Sequence, residues 1–113
     1  MPVTMYHNPR CNTSRRTLAL LREKGVEPTI IEYLKTPYTA AQLKQLLGEL
    51  KMPASKLLRK KEAAAAAIDP SKLSEDQLIE AMARNPIIVE RPIVVSGGKA
   101  ALGRPPEKAL EVL

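Results

Sequence analysis

Tyr6-His7-Asn8-Pro9-Arg10-Cys11-Asn12-Thr13-Ser14-Arg15 decides the fold of this 113-residue chain, because it joins a short apolar run to an amphipathic one across a proline loop. Before it, Val3 to Tyr6 reads as a strand. After it, Leu18, Leu21 and Arg22 recur at helical spacing as far as Gly25, which suits a helix C-cap. Thr29-Ile30-Ile31-Glu32-Tyr33-Leu34 is short and β-branched, so the helix lies between two strands and predicts a βαβ crossover with parallel pairing. Cys11 then falls at the start of the crossover helix. Unpaired N–H groups and the positive end of the helix dipole stabilise a thiolate there and can cradle an oxyanion. Such a placement lowers a cysteine pKa, and the thiolate is the nucleophilic form.

Further along, Thr39 is an N-cap for a helix through Leu43, Leu46 and Leu47 to Gly48, and Pro53 to Leu58 reads as a short helical turn. Glu62 to Ala67 is alanine-rich and helical by propensity. Ser74-Glu75-Asp76-Gln77 opens another helix, with Leu78, Ile79 and Met82 on one face and Asn85-Pro86 at its end. From Pro92 the pattern changes to a β-hairpin, Ile93-Val94-Val95 and Ala100-Ala101-Leu102 about Ser96-Gly97-Gly98-Lys99. Pro105-Pro106 opens a last helix, Glu107 to Leu113. The order predicts one α/β domain over residues 1–113, a small four-stranded mixed β-sheet with flanking helices and an inserted helical segment. A cysteine at the start of the first helix is where a thioredoxin-like fold places its active thiol.

Composition narrows the function. With 44% hydrophobic residues but no Trp or Phe, the core must be aliphatic, and three tyrosines offer little for stacking on nucleobases. The net charge of +6 is spread along the chain without a polybasic block, which favours an anionic partner but argues against direct nucleic-acid binding. One cysteine makes no internal disulfide and points to a reducing, cytoplasmic setting. The N-terminus lacks the pattern of a signal peptide, and no apolar run reaches the roughly 20 residues of a membrane span. A monomer without a tightly bound cofactor is expected.

The residues around Cys11 can carry chemistry. A buried inert cysteine is the ordinary alternative, but Asn8-Pro9 and Asn12-Thr13-Ser14 are loop and cap residues, and Arg10, Arg15 and Arg16 raise the local potential. Ser14 stands where a Cys-x-x-Cys pair has its second thiol; its hydroxyl can donate to a thiolate but cannot resolve a disulfide, so turnover needs an outside thiol. His7 either tunes the thiol or simply ends the strand. One His and one Cys are too few for a zinc site, so no metal is expected. Arg59, Arg91 and Arg104 each stand at an element boundary, and guanidinium forks from distant segments converging on a thiolate make an oxyanion site. Taken singly, each could be a solvated charge. Arg91 precedes Pro92 at the mouth of a strand, where thioredoxin-like folds set a cis-proline facing the thiol.

With Leu57-Leu58-Arg59-Lys60, Arg91-Pro92-Ile93-Val94-Val95 and Gly103-Arg104-Pro105 following the opening motif in order, the chain resembles the glutaredoxin-coupled arsenate reductase family over nearly its whole length. The resemblance implies that Cys11 is the nucleophile, with His7 and Ser14 supporting it, and that Arg59, Arg91 and Arg104, with Arg15 beside them, bind the oxyanion. It further implies arsenate as substrate, glutathione as co-substrate and a glutaredoxin as reductant. Glu62 to Ala67 is bland beside the family's corresponding region, and the sequence stops soon after its last helix begins. Two other readings compete. One is a glutathione-dependent thiol oxidoreductase that does not act on arsenate. The other is a redox-sensing regulator that binds RNA polymerase, disfavoured by Ser14 because such relatives usually carry Cys-x-x-Cys.

Overall fold

A computed structural model describes residues 2–113, and its elements gather into two compact units, Met1–Thr36 with Arg91–Leu113, and Pro37–Glu90. The first unit holds the sheet: β1 (Val3–His7), β2 (Thr29–Glu32), β3 (Ile93–Ser96) and β4 (Lys99–Leu102), with α1 (Asn12–Glu23) and a closing 3-10 segment, Pro106–Val112. The strand order is β2-β1-β3-β4. β1 pairs parallel with β2, as a βαβ crossover requires, and antiparallel with β3, which pairs antiparallel with β4.

Register and the two-residue period of a strand position the core. Met5 lies opposite Val94, and Val94 opposite Ala101, giving an apolar row across three strands. That row is buried with Leu21 of α1 and with Ala109 and Val112 of the closing segment. Val3, Met5 and His7 alternate to the same buried face of β1, so His7 extends the core row at the end of the strand nearest the loop. α1 closes with a Schellman motif: Gly25, at φ +79°, donates to Arg22 O at 2.9 Å, and Val26 donates to Leu21 O at 2.9 Å.

The second unit is helical, with α2 (Ala40–Leu50), α3 (Ala54–Leu57), α4 (Lys60–Ala65) and α5 (Glu75–Arg84). Thr39 and Ser74 each form a reciprocal capping box, with Gln42 and Gln77 respectively. Leu43, Leu46 and Leu47 of α2 and Leu78, Ile79 and Met82 of α5 are buried, and the two helices pack together. Glu75 Oε2 accepts from the Ala54 N–H at 2.9 Å, tying α3 to the start of α5.

Most boundaries shift by a residue from the expectation, and four differences are larger or change the element. α2 runs through Gly48 to Leu50 and stops at Lys51, whose φ of 59° makes the left-handed cap; burial of Leu47 outweighs the roughly 1 kcal/mol cost of a helical glycine. The alanine-rich helix spans Lys60–Ala65 instead of Glu62 to Ala67, and Ala67 turns out of it at φ 60°. β2 ends at Glu32, where Lys35 and Thr36 N–H groups both turn back to its carbonyl at 2.9 Å. The last segment is a 3-10 helix, not the α-helix that Pro105-Pro106 suggested.

Candidate active site

Cys11 is the N-cap of α1, in extended conformation, with its N–H donating to Asn8 O at 3.0 Å and its carbonyl accepting from Arg15 N–H at 3.0 Å. The helix turns immediately behind it, which aims the Thr13 and Ser14 N–H groups at the sulfur. Burial of the thiol is the largest single influence and opposes ionisation. The Ser14 N–H, the Arg91 guanidinium beside the sulfur and the Thr13 N–H together outweigh it and hold the thiol below its ordinary value.

Two arginines from the far end of the chain meet that sulfur. Arg104 Nη2 lies 3.8 Å from Cys11 Sγ, and its Nε donates to the Arg91 carbonyl at 2.7 Å. The Arg91-Pro92 and Arg104-Pro105 peptide bonds are both cis. Arg91 lies against Cys11 and against the fully buried Tyr33, whose hydroxyl burial pushes up and Arg91 and Asn8 pull back. Arg91 Nε and Nη1 are buried without a hydrogen-bond partner among the described residues. A buried guanidinium with unused donors is costly unless an acceptor meets it. Gly103 makes room for this arrangement: a Cβ there would come within 2.8 Å of Thr17 Oγ1 and 2.9 Å of Pro92 Cγ.

Ser14 and His7 sit behind the sulfur. The Ser14 side chain is fully buried; its Oγ accepts from the Asn8 N–H at 3.1 Å and lies 2.7 Å from His7 Nδ1. Burial lowers the His7 pKa, with Glu32 opposing and Arg22 assisting, which favours the neutral ring, and Nδ1 and the Ser14 hydroxyl share one hydrogen bond. The sequence offers this hydroxyl to the thiolate; the structure pairs its oxygen with His7 Nδ1 and the Asn8 N–H, and it is the Ser14 backbone N–H that lowers the Cys11 pKa.

Arg15 is exposed and donates from Nη2 to Asn12 Oδ1. Arg59 belongs to the helical unit, where it is the N-cap of α4. Its Nε donates to Glu62 at 3.0 Å and its Nη1 to Glu90 at 3.0 Å, so it is a paired charge, neither solvated nor isolated. The sequence marks Tyr33 only as a strand residue, and its one further signal is its place in the turn after β2, beside the loop that carries Cys11. Among the described residues no cluster of three or more His, Cys, Asp or Glu side chains could hold a metal ion, and no helix is long and apolar enough to cross a membrane.

A mixed sheet in the order β2-β1-β3-β4 with a lone thiol capping the first helix defines a thioredoxin-like protein with a single cysteine at that position. The model of the ArsC family matches residues 6–112, and the chain belongs to that family. It is 53% identical to the uncharacterized protein YfgD of Escherichia coli K12, over 98% of this chain and 96% of that protein. It is 44% identical to an arsenate reductase of the same organism, over 98% of this chain and 80% of the relative. A solved arsenate reductase from Vibrio cholerae superposes with a TM-score of 0.90 at 44% identity, covering 100% of this chain and 98% of that one.

Proposed function

We propose that the protein is an arsenate reductase that takes its electrons from glutathione and a glutaredoxin. The observation that carries this reading is the buried Arg91 guanidinium, with Nε and Nη1 unpartnered, beside a thiol held below its ordinary pKa. A tetrahedral oxyanion supplies the acceptors those donors lack. Membership of the ArsC family and the arsenate reductases among its relatives support the choice of arsenate.

The Cys11 thiolate attacks arsenic, a sulfur–arsenic bond forms, and one oxygen leaves as water after taking up protons. Arg91 and Arg104 hold the remaining oxygens and offset their charge. Arg59 and Arg15 are assigned to the same oxyanion by the family resemblance. A glutathione sulfur displaces a second oxygen as water. A glutaredoxin thiolate then attacks the glutathione sulfur; the electron pair of the broken sulfur–arsenic bond stays on arsenic, which falls from the pentavalent to the trivalent state. Water releases arsenite and returns Cys11 as a thiol. The lone cysteine fits this sequence, because both further thiols come from outside.

The test is turnover of arsenate by the purified chain with glutathione, glutaredoxin and NADPH-coupled recycling. Arsenate-dependent NADPH oxidation that disappears in Cys11→Ser is the expected result. An absence of arsenate-dependent turnover, with the coupling enzymes shown to be active, sinks the reading.

A further inference from the structure

Resting on the reading that glutathione supplies the second thiol, we propose that it docks in a cavity of about 270 Å³ between the catalytic loop and the end of β2, lined by His7, Asn8, Arg10, Glu32, Leu34 and Lys35. Two residues of its wall, Asn8 and Arg10, adjoin Cys11. Asn8 O accepts the Cys11 N–H at 3.0 Å, and Arg10 is the residue before Cys11, about 3.8 Å away along the backbone. A tripeptide, extended to about 10 Å, reaches from such a cavity to the arsenic on Cys11.

The charges complement this ligand. Glutathione carries two carboxylates, one ammonium group and a central thiol. The cavity carries two cations, Arg10 and Lys35, and one carboxylate, Glu32. Arg10 is exposed. Lys35 and Glu32 pair with each other at 3.6 Å, with 78% and 39% of their side chains exposed, so both remain open to a ligand. Leu34, 41% exposed, supplies an apolar contact, and the buried His7 and Asn8 form the polar floor. The carboxylates meet Arg10 and Lys35, the ammonium meets Glu32, and the thiol is directed along the loop toward Cys11. There its sulfur bonds to arsenic while an oxygen departs as water with the thiol proton.

S-methylglutathione, which keeps every charge but cannot react, is titrated into the isotopically labelled full chain while amide shifts are followed. Shifts at Asn8, Arg10 and Glu32 to Lys35, with about threefold to tenfold weaker binding in Lys35→Glu, are expected. N-acetyl-S-methylglutathione, lacking the ammonium, should bind more weakly than the parent, and Glu32→Gln should erase that difference. Shifts confined to other segments, or binding that both variants leave unchanged, overturn the assignment. Arsenate protection of Cys11 from iodoacetamide, measured on the same samples, separates the two readings. Lost protection with cavity binding intact removes the arsenate reading alone. Protection and turnover without cavity binding removes the glutathione site alone.

Discussion

Arg104 Nε donates to the Arg91 carbonyl at 2.7 Å while its Nη2 reaches to 3.8 Å from Cys11 Sγ, so one guanidinium ties the loop before β3 to the thiol. Arg104 is thereby a support for Arg91 as well as a charge. Lysine cannot reproduce that fork. Arg104→Lys should keep the positive charge yet weaken arsenate saturation, with KM raised about threefold or more, and Arg91→Ala should raise the Cys11 pKa toward the free-thiol value near about 8.5. Iodoacetamide labelling rates against pH read the second effect. An unmoved midpoint in Arg91→Ala would show that the guanidinium does not act on the sulfur.

Ser14→Ala separates hydroxyl from backbone. The variant leaves the Asn8 N–H and His7 Nδ1 without their shared oxygen in a buried place, at a cost of about 1–3 kcal/mol in chemical denaturation. The thiol midpoint should stay low, because the Ser14 N–H remains. A midpoint that returned to the free-thiol value would restore the hydroxyl as the thiolate's partner.

Gly103→Ala forces a Cβ against Thr17 and Pro92, and overpacking of that kind costs about 1–3 kcal/mol. Two of the three close atoms belong to Thr17. Thr17→Ala should therefore recover part of the loss, and a double-mutant cycle measures the recovery. Strict additivity would contradict the contact.

His7 makes stability depend on pH in a definite direction. Its folded pKa lies below the ordinary 6.5, so between those two values the unfolded chain binds more protons than the folded one. Stability from this group is complete above 6.5 and falls as pH drops through that window. His7→Asn should flatten the acid side of a denaturation-against-pH profile, and an unchanged slope would remove His7 as its origin.

Much of this was legible because local pattern and tertiary role coincide. The parallel pairing of β1 with β2 follows from a helix-length insertion between two short strands, and Cys11 at the start of α1 follows from the polar residues that flank it. The mixed sheet and the hairpin were readable from β-branched runs around Gly97-Gly98. Other features depend on partners distant in sequence. Nothing in Leu57-Leu58-Arg59-Lys60 announces that Arg59 meets Glu90, or that Leu58 bridges Val89. The pairing of Ser14 Oγ with His7 is hidden for the same reason: the strand period of β1 brings His7 to it, whereas the nearby sulfur is the only partner visible locally. Gly48 misled because glycine signals a helix end only where packing does not decide the matter.

The first turn of α1 contains no acidic residue, and the side chain at its N-cap is the Cys11 thiol. The anion that complements this helix end is therefore the sulfur itself. Linkage runs both ways: whatever free energy the helix lends to ionisation, ionisation returns to the helix. Between the lowered pKa and that of the unfolded thiol, the fold gains stability as pH rises, and a neutral adduct on Cys11 forfeits it. Alkylating the sulfur with iodoacetamide should therefore lower the stability of the fold above the thiol's pKa, because α1 loses the anion at its own N-terminus.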